Sequence, residues 1–271
     1  SPSVTDFIFM GDGISHMYIT GPDVIKAVTG EEISHEELGG AYAHCAKSGN
    51  AHFHFASEDE CFAFIQKLLS YLPSNNREQP PLVITNDPPD RVNDNLFDLL
   101  PEDPKKTYDI RDFIGEIFDR DSFLEVHADY ATNIVVGFAK LNGRTVGVFA
   151  NQPKVLAASL DINSSDKGAR FVRFCDCFNI PIVSLVDVPG YLPGIAQEHG
   201  GIIRHGAKIL YAIAEASVPK IALIIRKAYG GSMIAMSSKA LGYDRVLAFP
   251  TAEIAVMGAE GAANIIFRSE E

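Results

Sequence analysis

The hydrophobic positions change their period along the chain, and the changes mark out the elements. Residues 4–19 read as apolar extended segments broken by the turn Gly11-Asp12-Gly13. A helix is predicted over residues 36–48, with Ser34 as N-cap and Glu37 three residues on, the spacing of a capping box. Residues 51–55 alternate as in a short half-buried strand. Residues 58–71 then place Phe62, Ile65, Leu68, Leu69 and Leu72 on one helical face. Residues 133–150 are two β-rich runs around Asn142-Gly143, a pair that tolerates the positive φ of a type I′ hairpin turn. From there a strand–loop–helix rhythm repeats. It predicts helices over 110–118, 165–179, 201–217 and 232–240, and strands over 181–187, 219–225 and 244–249. Alternation of this kind defines an α/β chain.

Residues 73–107 break the rhythm. They carry Pro73, Pro80, Pro81, Pro88, Pro89, Pro101 and Pro104 among many Asn and Asp. Proline removes backbone donors and fixes φ, so this stretch is expected to lack regular structure and to connect two units. A length of 271 residues allows one large domain or two smaller ones.

Composition narrows the function classes. The chain is 46% hydrophobic and 21% charged, with a net charge of −12. The acidic surplus lies within residues 1–150, the remainder being close to neutral. No basic stripe offsets phosphate repulsion, which argues against nucleic-acid binding. A local pair such as Arg226 and Lys227 can still hold a phosphate of an anionic ligand. Cys45, Cys61, Cys175 and Cys177 form no CxxC pair and read as reduced core thiols of a cytoplasmic protein. No apolar run is long enough for a membrane span, and no signal peptide is visible. The chain opens on Ser1-Pro2-Ser3 as if within a domain and stops on Glu270-Glu271, so it reads as a fragment or a processed chain.

Two glycine-bearing crossings carry the candidate chemistry. The continuous apolar run 221–225 suits a strand covered on both faces. It passes through Arg226-Lys227-Ala228-Tyr229-Gly230-Gly231-Ser232 into a helix. Glycines there permit a tight turn and leave N–H groups open at a helix start, where negative charge is favoured. Close packing of a helix start is the plainer reading of the same residues. The second crossing, Asp187-Val188-Pro189-Gly190-Tyr191-Leu192-Pro193-Gly194, leaves the preceding strand at the same sheet edge, where open α/β sheets bind ligands. A stiff connector is its plainer reading.

His52 and His54 alternate on a strand but have no obvious third ligand, so no metal is expected. His199 and His205 flank Gly200-Gly201 and suit a surface or helix-start role. There is no G-x-S-x-G elbow, H-E-x-x-H or P-loop. Glycine turns without a nucleophile–base pair point to chemistry by backbone donors and a cofactor.

Residues 145–271 resemble the C-terminal half of the carboxyltransferase (β) subunit of biotin-dependent acyl-CoA carboxylases such as propionyl-CoA and acetyl-CoA carboxylase. The resemblance extends to methylmalonyl-CoA decarboxylase α subunits and transcarboxylases. The stretches that carry it are Ala150-Asn151-Gln152-Pro153, Leu160-Asp161-Ile162-Asn163-Ser164-Ser165-Asp166-Lys167, Asp187 to Gly194, Gly200-Gly201-Ile202-Ile203-Arg204-His205-Gly206-Ala207-Lys208, Arg226 to Gly231, and Pro250 to Gly258. Residues 1–72 resemble the end of the same subunit's N-terminal half, through Thr5-Asp6-Phe7, Ser15 to Pro22, Thr29-Gly30-Glu31 and Leu38-Gly39-Gly40-Ala41.

The resemblance implies tandem crotonase-like ββα superhelices, an N half and a C half, both truncated here. Residues 1–72 are then the end of the N half, 73–107 the connector and 108–271 the C half without its C-terminal helices. It implies carboxyl transfer between carboxybiotin, carried on a partner protein, and an acyl-CoA thioester, through an enolate held by backbone N–H groups. A second N–H pair, on Gly231 and Ser232, would steady the ureido oxygen of biotin. Ala228, Tyr229, Gly230, Pro189, Gly190, Tyr191 and Leu192 would line the biotin and acyl-CoA site. Ile234 falls where the acyl pocket varies within the family, and its apolar side chain would suit acetyl-CoA or a broader acyl range; a helix-face core position is its plainer reading. The implied partners are biotin carboxylase and a biotin carboxyl carrier subunit, in a homo-hexamer of stacked dimers. The implied location is cytoplasmic, or the mitochondrial matrix in a eukaryote, with a membrane partner only for a decarboxylase. The family's N-half glycine pair lies just before the stretch at which this chain begins. A non-catalytic fragment or assembly subunit is therefore a reading from another class.

Overall fold

The computed structural model describes residues 2–104 and 106–267. Its contacts divide the chain into two compact units: residues up to Tyr71 together with Val126–Ala131, and the remainder.

In the first unit β1 (Phe9–Gly11) pairs in parallel with β2 (Phe53–Phe55). The helices are α1 (Pro22–Thr29), α2 (His35–Gly39) and α3 (Glu58–Leu69). Ser34 forms the expected capping box with Glu37. The helix predicted over 36–48 divides into α2 and a π-helical turn, Ala43–Ser48. Of the extended segments predicted over 4–19, only Phe9–Gly11 pairs as a strand. Ile8, Met10, Ala41, Cys45 and Ala51 form a small core. Two three-residue strands cannot cover the whole apolar face of α3: Leu68 is buried, whereas Phe62 remains 60% and Leu69 61% exposed. His52 is buried and accepts the Ile8 N–H at 3.1 Å, and His54 pairs with Asp12 and Asp129.

The second unit is built on a sheet in the order β3 (Leu124–Val126), β4 (Ile134–Leu141), β5 (Arg144–Asn151), β6 (Ile182–Val188), β7 (Lys220–Tyr229), β8 (Arg245–Ala248). A further strand, β9 (Glu253–Ala255), pairs with the end of β7. β4 and β5 are the antiparallel hairpin predicted around Asn142-Gly143, both at positive φ (49° and 76°). From β5 to β8 the pairing is parallel, as expected for strands joined through helices.

The alternation along β5 sorts its side chains onto two covered faces. Val146, Val148 and Ala150 join Val183, Leu185 and Ile225 under α5 (Ile110–Ile117). On the other face Gly147 and Phe149 meet α6 (Ile162–Cys177), which packs on α8 (Ile202–Glu215). Such coverage explains why these strands read as continuous apolar runs.

Among its described residues the proline-rich stretch gains only one short helix, α4 (Asn95–Asp98), as proline density dictates. It is nonetheless pinned to the second unit. Val83 N–H donates to Gly143 O at 3.0 Å, and Leu96, Leu99 and Leu100 pack on the core beside α5. Beyond it lie the further α-helices α7 (Ile195–Gly200), α9 (Gly230–Ser237) and α10 (Ala259–Ile266). No helix among the described residues is long and apolar enough to cross a membrane.

Candidate functional site

Strand β7 runs four residues further than its apolar pattern predicts, to Tyr229, and α9 begins at Gly230 rather than at 232. Pattern alone misses the extension because Arg226 and Lys227 interrupt the apolar run. The strand continues because β9 pairs with it: Lys227 with Glu253, Ala228 with Ile254 and Tyr229 with Ala255. The Tyr229 hydroxyl donates to the Glu253 carboxylate, a second tie between the two strands. Burial and this bond push the Tyr229 hydroxyl up to about 12.

The change from strand to helix occurs at Gly230, whose φ is 58°. A side chain is disfavoured in that left-handed conformation, and a Cβ there would stand 3.1 Å from Val256 O. No side chain caps α9. Helix geometry leaves its first N–H groups, those of Gly230, Gly231 and Ser232, without acceptors inside the helix. Ser232 is fully buried and its hydroxyl donates to Tyr229 O at 2.7 Å. Its side chain is therefore committed, and its backbone N–H is what it can offer a ligand. Gly231 is exposed, and a Cβ built on it meets nothing nearer than the Tyr191 ring at 3.8 Å.

That ring belongs to the second predicted crossing. Gly190 O accepts the Leu160 N–H at 3.0 Å and Leu160 O accepts the Leu192 N–H at 2.8 Å, which holds Tyr191 between them. Gly206 of α8 admits the ring, since a Cβ there would lie 2.8 Å from it. Burial pushes the Tyr191 hydroxyl up to about 12. The predicted residues Pro189, Gly190, Tyr191 and Leu192 thus form one ledge, and Ala228, Tyr229, Gly230, Gly231 and Ser232 form the strand end beside it. Ala228 is wholly buried under this edge, whereas Ile234 is 44% exposed on α9.

Beneath the edge lies a polar cluster. Asp187, 2% exposed at the end of β6, accepts hydrogen bonds from Arg226 Nε and Nη2 (both 3.0 Å), the Tyr108 hydroxyl (2.9 Å) and the Lys227 N–H (3.0 Å). Its own N–H donates to Asn151 Oδ1 at 3.2 Å. Arg226 also lies over the Tyr108 ring, 5.1 Å from its centre, and donates to Lys106 O at 2.8 Å. Burial and the neighbouring Asp187 charge push the Tyr108 hydroxyl well above its ordinary value. Arg226 is therefore spent inside the fold, a correction to the expectation that it joins Lys227 in holding a phosphate. Sequence reasoning singled out the Asp187 loop and the Arg226 turn but not their partnership, because 39 residues separate them.

Of the other candidates, His205 bonds to Asp166 at 2.9 Å, with Lys208 on the same carboxylate at 2.6 Å. His199 stays exposed on α7. Among the described residues no group of three or more His, Cys, Asp or Glu could hold a metal ion.

A mostly parallel sheet with helices over both faces, and glycine-rich crossings at the ends of its strands, defines an α/β scaffold. The match to known proteins specifies it further. The carboxyl transferase domain family matches residues 1–271, and the chain belongs to that family. It is 59% identical over its whole length to the methylmalonyl-CoA decarboxylase subunit alpha of Veillonella parvula, covering 53% of that protein. It is 58% identical to the propionyl-CoA carboxylase carboxyltransferase subunit of Haloferax mediterranei, covering 52% of it. The crystal structure of transcarboxylase 12S, a hexamer assembly with methylmalonyl-coenzyme A and methylmalonic acid bound, superposes with a TM-score of 0.96 at 59% identity. That likeness covers 99% of this chain and 51% of that one. The chain spans about half the length of the relatives it matches. Its α/β, crotonase-like fold is that of these neighbours.

Proposed function

We propose that this chain is part of a carboxyltransferase subunit that moves a carboxyl group between carboxybiotin and an acyl-CoA. Propionyl-CoA or acetyl-CoA would become methylmalonyl-CoA or malonyl-CoA. The observation that carries the reading is the start of α9: an uncapped helix N-terminus with Gly231 exposed, beside the Tyr191 ledge. Its open space and its two backbone donors fit a carbonyl oxygen. Carboxybiotin, carried by a partner protein, supplies the carboxyl group when it is bound there.

The N–H groups of Gly231 and Ser232 would donate to the ureido oxygen of biotin. Negative charge collects on that atom as the carboxyl group leaves, and fixed donors stabilise it without reorganising. The ledge of Pro189, Gly190, Tyr191 and Leu192, with Ala228, Tyr229 and Gly230, would exclude water from the ring, and Ile234 would border the acyl group. The enolate of the thioester would be held by a second N–H pair from the N half. In this reading residues 1–72 end the N half, 73–107 connect and 108–271 form the C half. The intact protein would be a hexamer of stacked dimers working with a biotin carboxylase and its carrier subunit, in the cytoplasm or the mitochondrial matrix.

Near-equal identity to a decarboxylase α subunit and to a carboxylase subunit supports a second reading, the same transfer run as a decarboxylation or transcarboxylation. Both readings share one test, carboxyl exchange between methylmalonyl-CoA or malonyl-CoA and free biotin by the complete protein. Gly231→Ala keeps the N–H and has room for its methyl, so exchange should persist within about twofold. Gly231→Pro removes the N–H in the first helical turn, where proline is tolerated, and should lower kcat ~100-fold or more. No exchange by the wild type, or equal rates for the two variants, refutes the assignment.

A further inference from the structure

The sheet beneath the start of α9 carries an irregularity. Val186 of β6 pairs with Ile224 of β7, yet Val188 pairs with Ala228. Two steps along β6 therefore span four along β7. The extra residues bulge out between Ile224 and Ala228, and the β6 ladder skips them on that side. The Asp187 side chain takes the ladder's place there. One carboxylate oxygen accepts the Lys227 N–H, and the other accepts Arg226 and the Tyr108 hydroxyl. Beyond the bulge only Ala228 and Tyr229 precede Gly230, so on the β6 side the bulge bears directly on the donors, as the β9 pairing does on the other.

We propose that Asp187, held by Tyr108, is the positioning residue of the candidate site: its carboxylate fixes the β7 bulge that aims the Gly231 and Ser232 N–H groups. The chemistry is suited to the task. A carboxylate with four donors and 2% exposure has one stable orientation, and the rigid Arg226 fork leaves it little freedom. The Asn151 amide oxygen fixes the Asp187 backbone at the same time. Asp187 lies under the edge and is fully committed to the protein, so it touches no ligand. The role assigned to the donors rests on the carboxyltransfer reading, whereas the dependence of their position on Asp187 does not.

The test uses the complete protein and two readouts. Tyr108→Phe removes one donor from the carboxylate and leaves the Arg226 pair intact; Asp187→Asn removes the charge. In Tyr108→Phe, amide hydrogen exchange over residues 227–233 should accelerate ~10-fold while the hairpin β4–β5 keeps its protection. The kcat of carboxyl exchange should fall about 10-fold with the acyl-CoA KM within about twofold, and Asp187→Asn should fall about 100-fold. If Asp187→Asn does not fold, Tyr108→Phe decides alone. Unchanged amide exchange over 227–233 in Tyr108→Phe overturns the proposal, as does a lowered melting temperature with an unchanged kcat. If the wild type shows no carboxyl exchange, the proposed function fails, and the amide readout still decides whether Asp187 aims the donors.

Discussion

Gly147 is where α6 presses hardest on the sheet, and the contact is close enough to yield a number. It sits mid-strand in β5, opposite Phe138 of β4 and Ile182 of β6. A Cβ built there would lie 2.5 Å from Cys175 Sγ and 3.2 Å from the Phe171 ring, both on α6. Ordinary contact begins near 3.4 Å, so Gly147→Ala obliges the sulfur to retreat by about 0.9 Å. It has nowhere to go, because Cys175 and Val172 are wholly buried and Phe171 packs on Phe138. Overpacking of this kind costs about 1–3 kcal/mol. At about 2–4 °C per kcal/mol for a unit of this size, the melting temperature should fall by roughly 2–12 °C.

A compensating change makes the reasoning strict. Cys175→Ala alone deletes a buried sulfur and leaves a small void, at a cost of about 1–2 kcal/mol. In the double variant the new methyl at 147 occupies the space the sulfur has left. The double variant should therefore be more stable than Gly147→Ala alone, with a coupling energy of about 1–2 kcal/mol between the sites. Urea midpoints of the four proteins give the cycle directly. Additivity within about 0.5 kcal/mol would refute the packing argument, because two sites in contact that exchange volume cannot behave independently.

Tyr191 predicts a response to alkali. Burial pushes its hydroxyl up to about 12, against roughly 10 in an unfolded chain, so the folded state holds a proton that the unfolded state has lost. Its contribution is complete below pH ~10 and is lost between about 10 and 12, at up to ~1.4 kcal/mol per pH unit. Tyr191→Phe, which gives up only a 3.4 Å bond to Gly206 O, should flatten that slope in urea titrations; an identical slope contradicts it. Gly143→Ala should loosen the proline-rich stretch, because the residue has φ 76° and a Cβ would strike Val83 O. Limited proteolysis within 73–107 should quicken several-fold, and an unaltered rate would mean that the hairpin does not hold that segment.

How much of this was legible beforehand follows from the range of the interaction concerned. The hairpin at Asn142-Gly143, the Ser34 capping box and the strands 181–187 and 219–225 are set by neighbours within a few residues, and their patterns foretold them. Failures occurred where distant chain intervened. β7 outruns its apolar stretch because β9, 26 residues further on, pairs with Lys227, Ala228 and Tyr229. The face of α3 reads as a buried stripe, yet a two-stranded sheet leaves Phe62 and Leu69 in solvent.

The candidate site divides along the same line. The glycines at 190, 230 and 231 announce themselves, because a turn or an open N–H group needs that residue type in that place. Asp187 and Arg226 announce nothing singly. One reads as the first residue of a loop and the other as a free cation beside Lys227. Their meaning lies in a bulge that exists only once β6 and β7 pair out of step. A site built from backbone donors has no catalytic side chain to conserve its geometry, so its precision must come from whatever holds the backbone. In the proposed site that would be a buried carboxylate with four donors together with the β9 pairing, and the donor pair would be as well aimed as these are immobile.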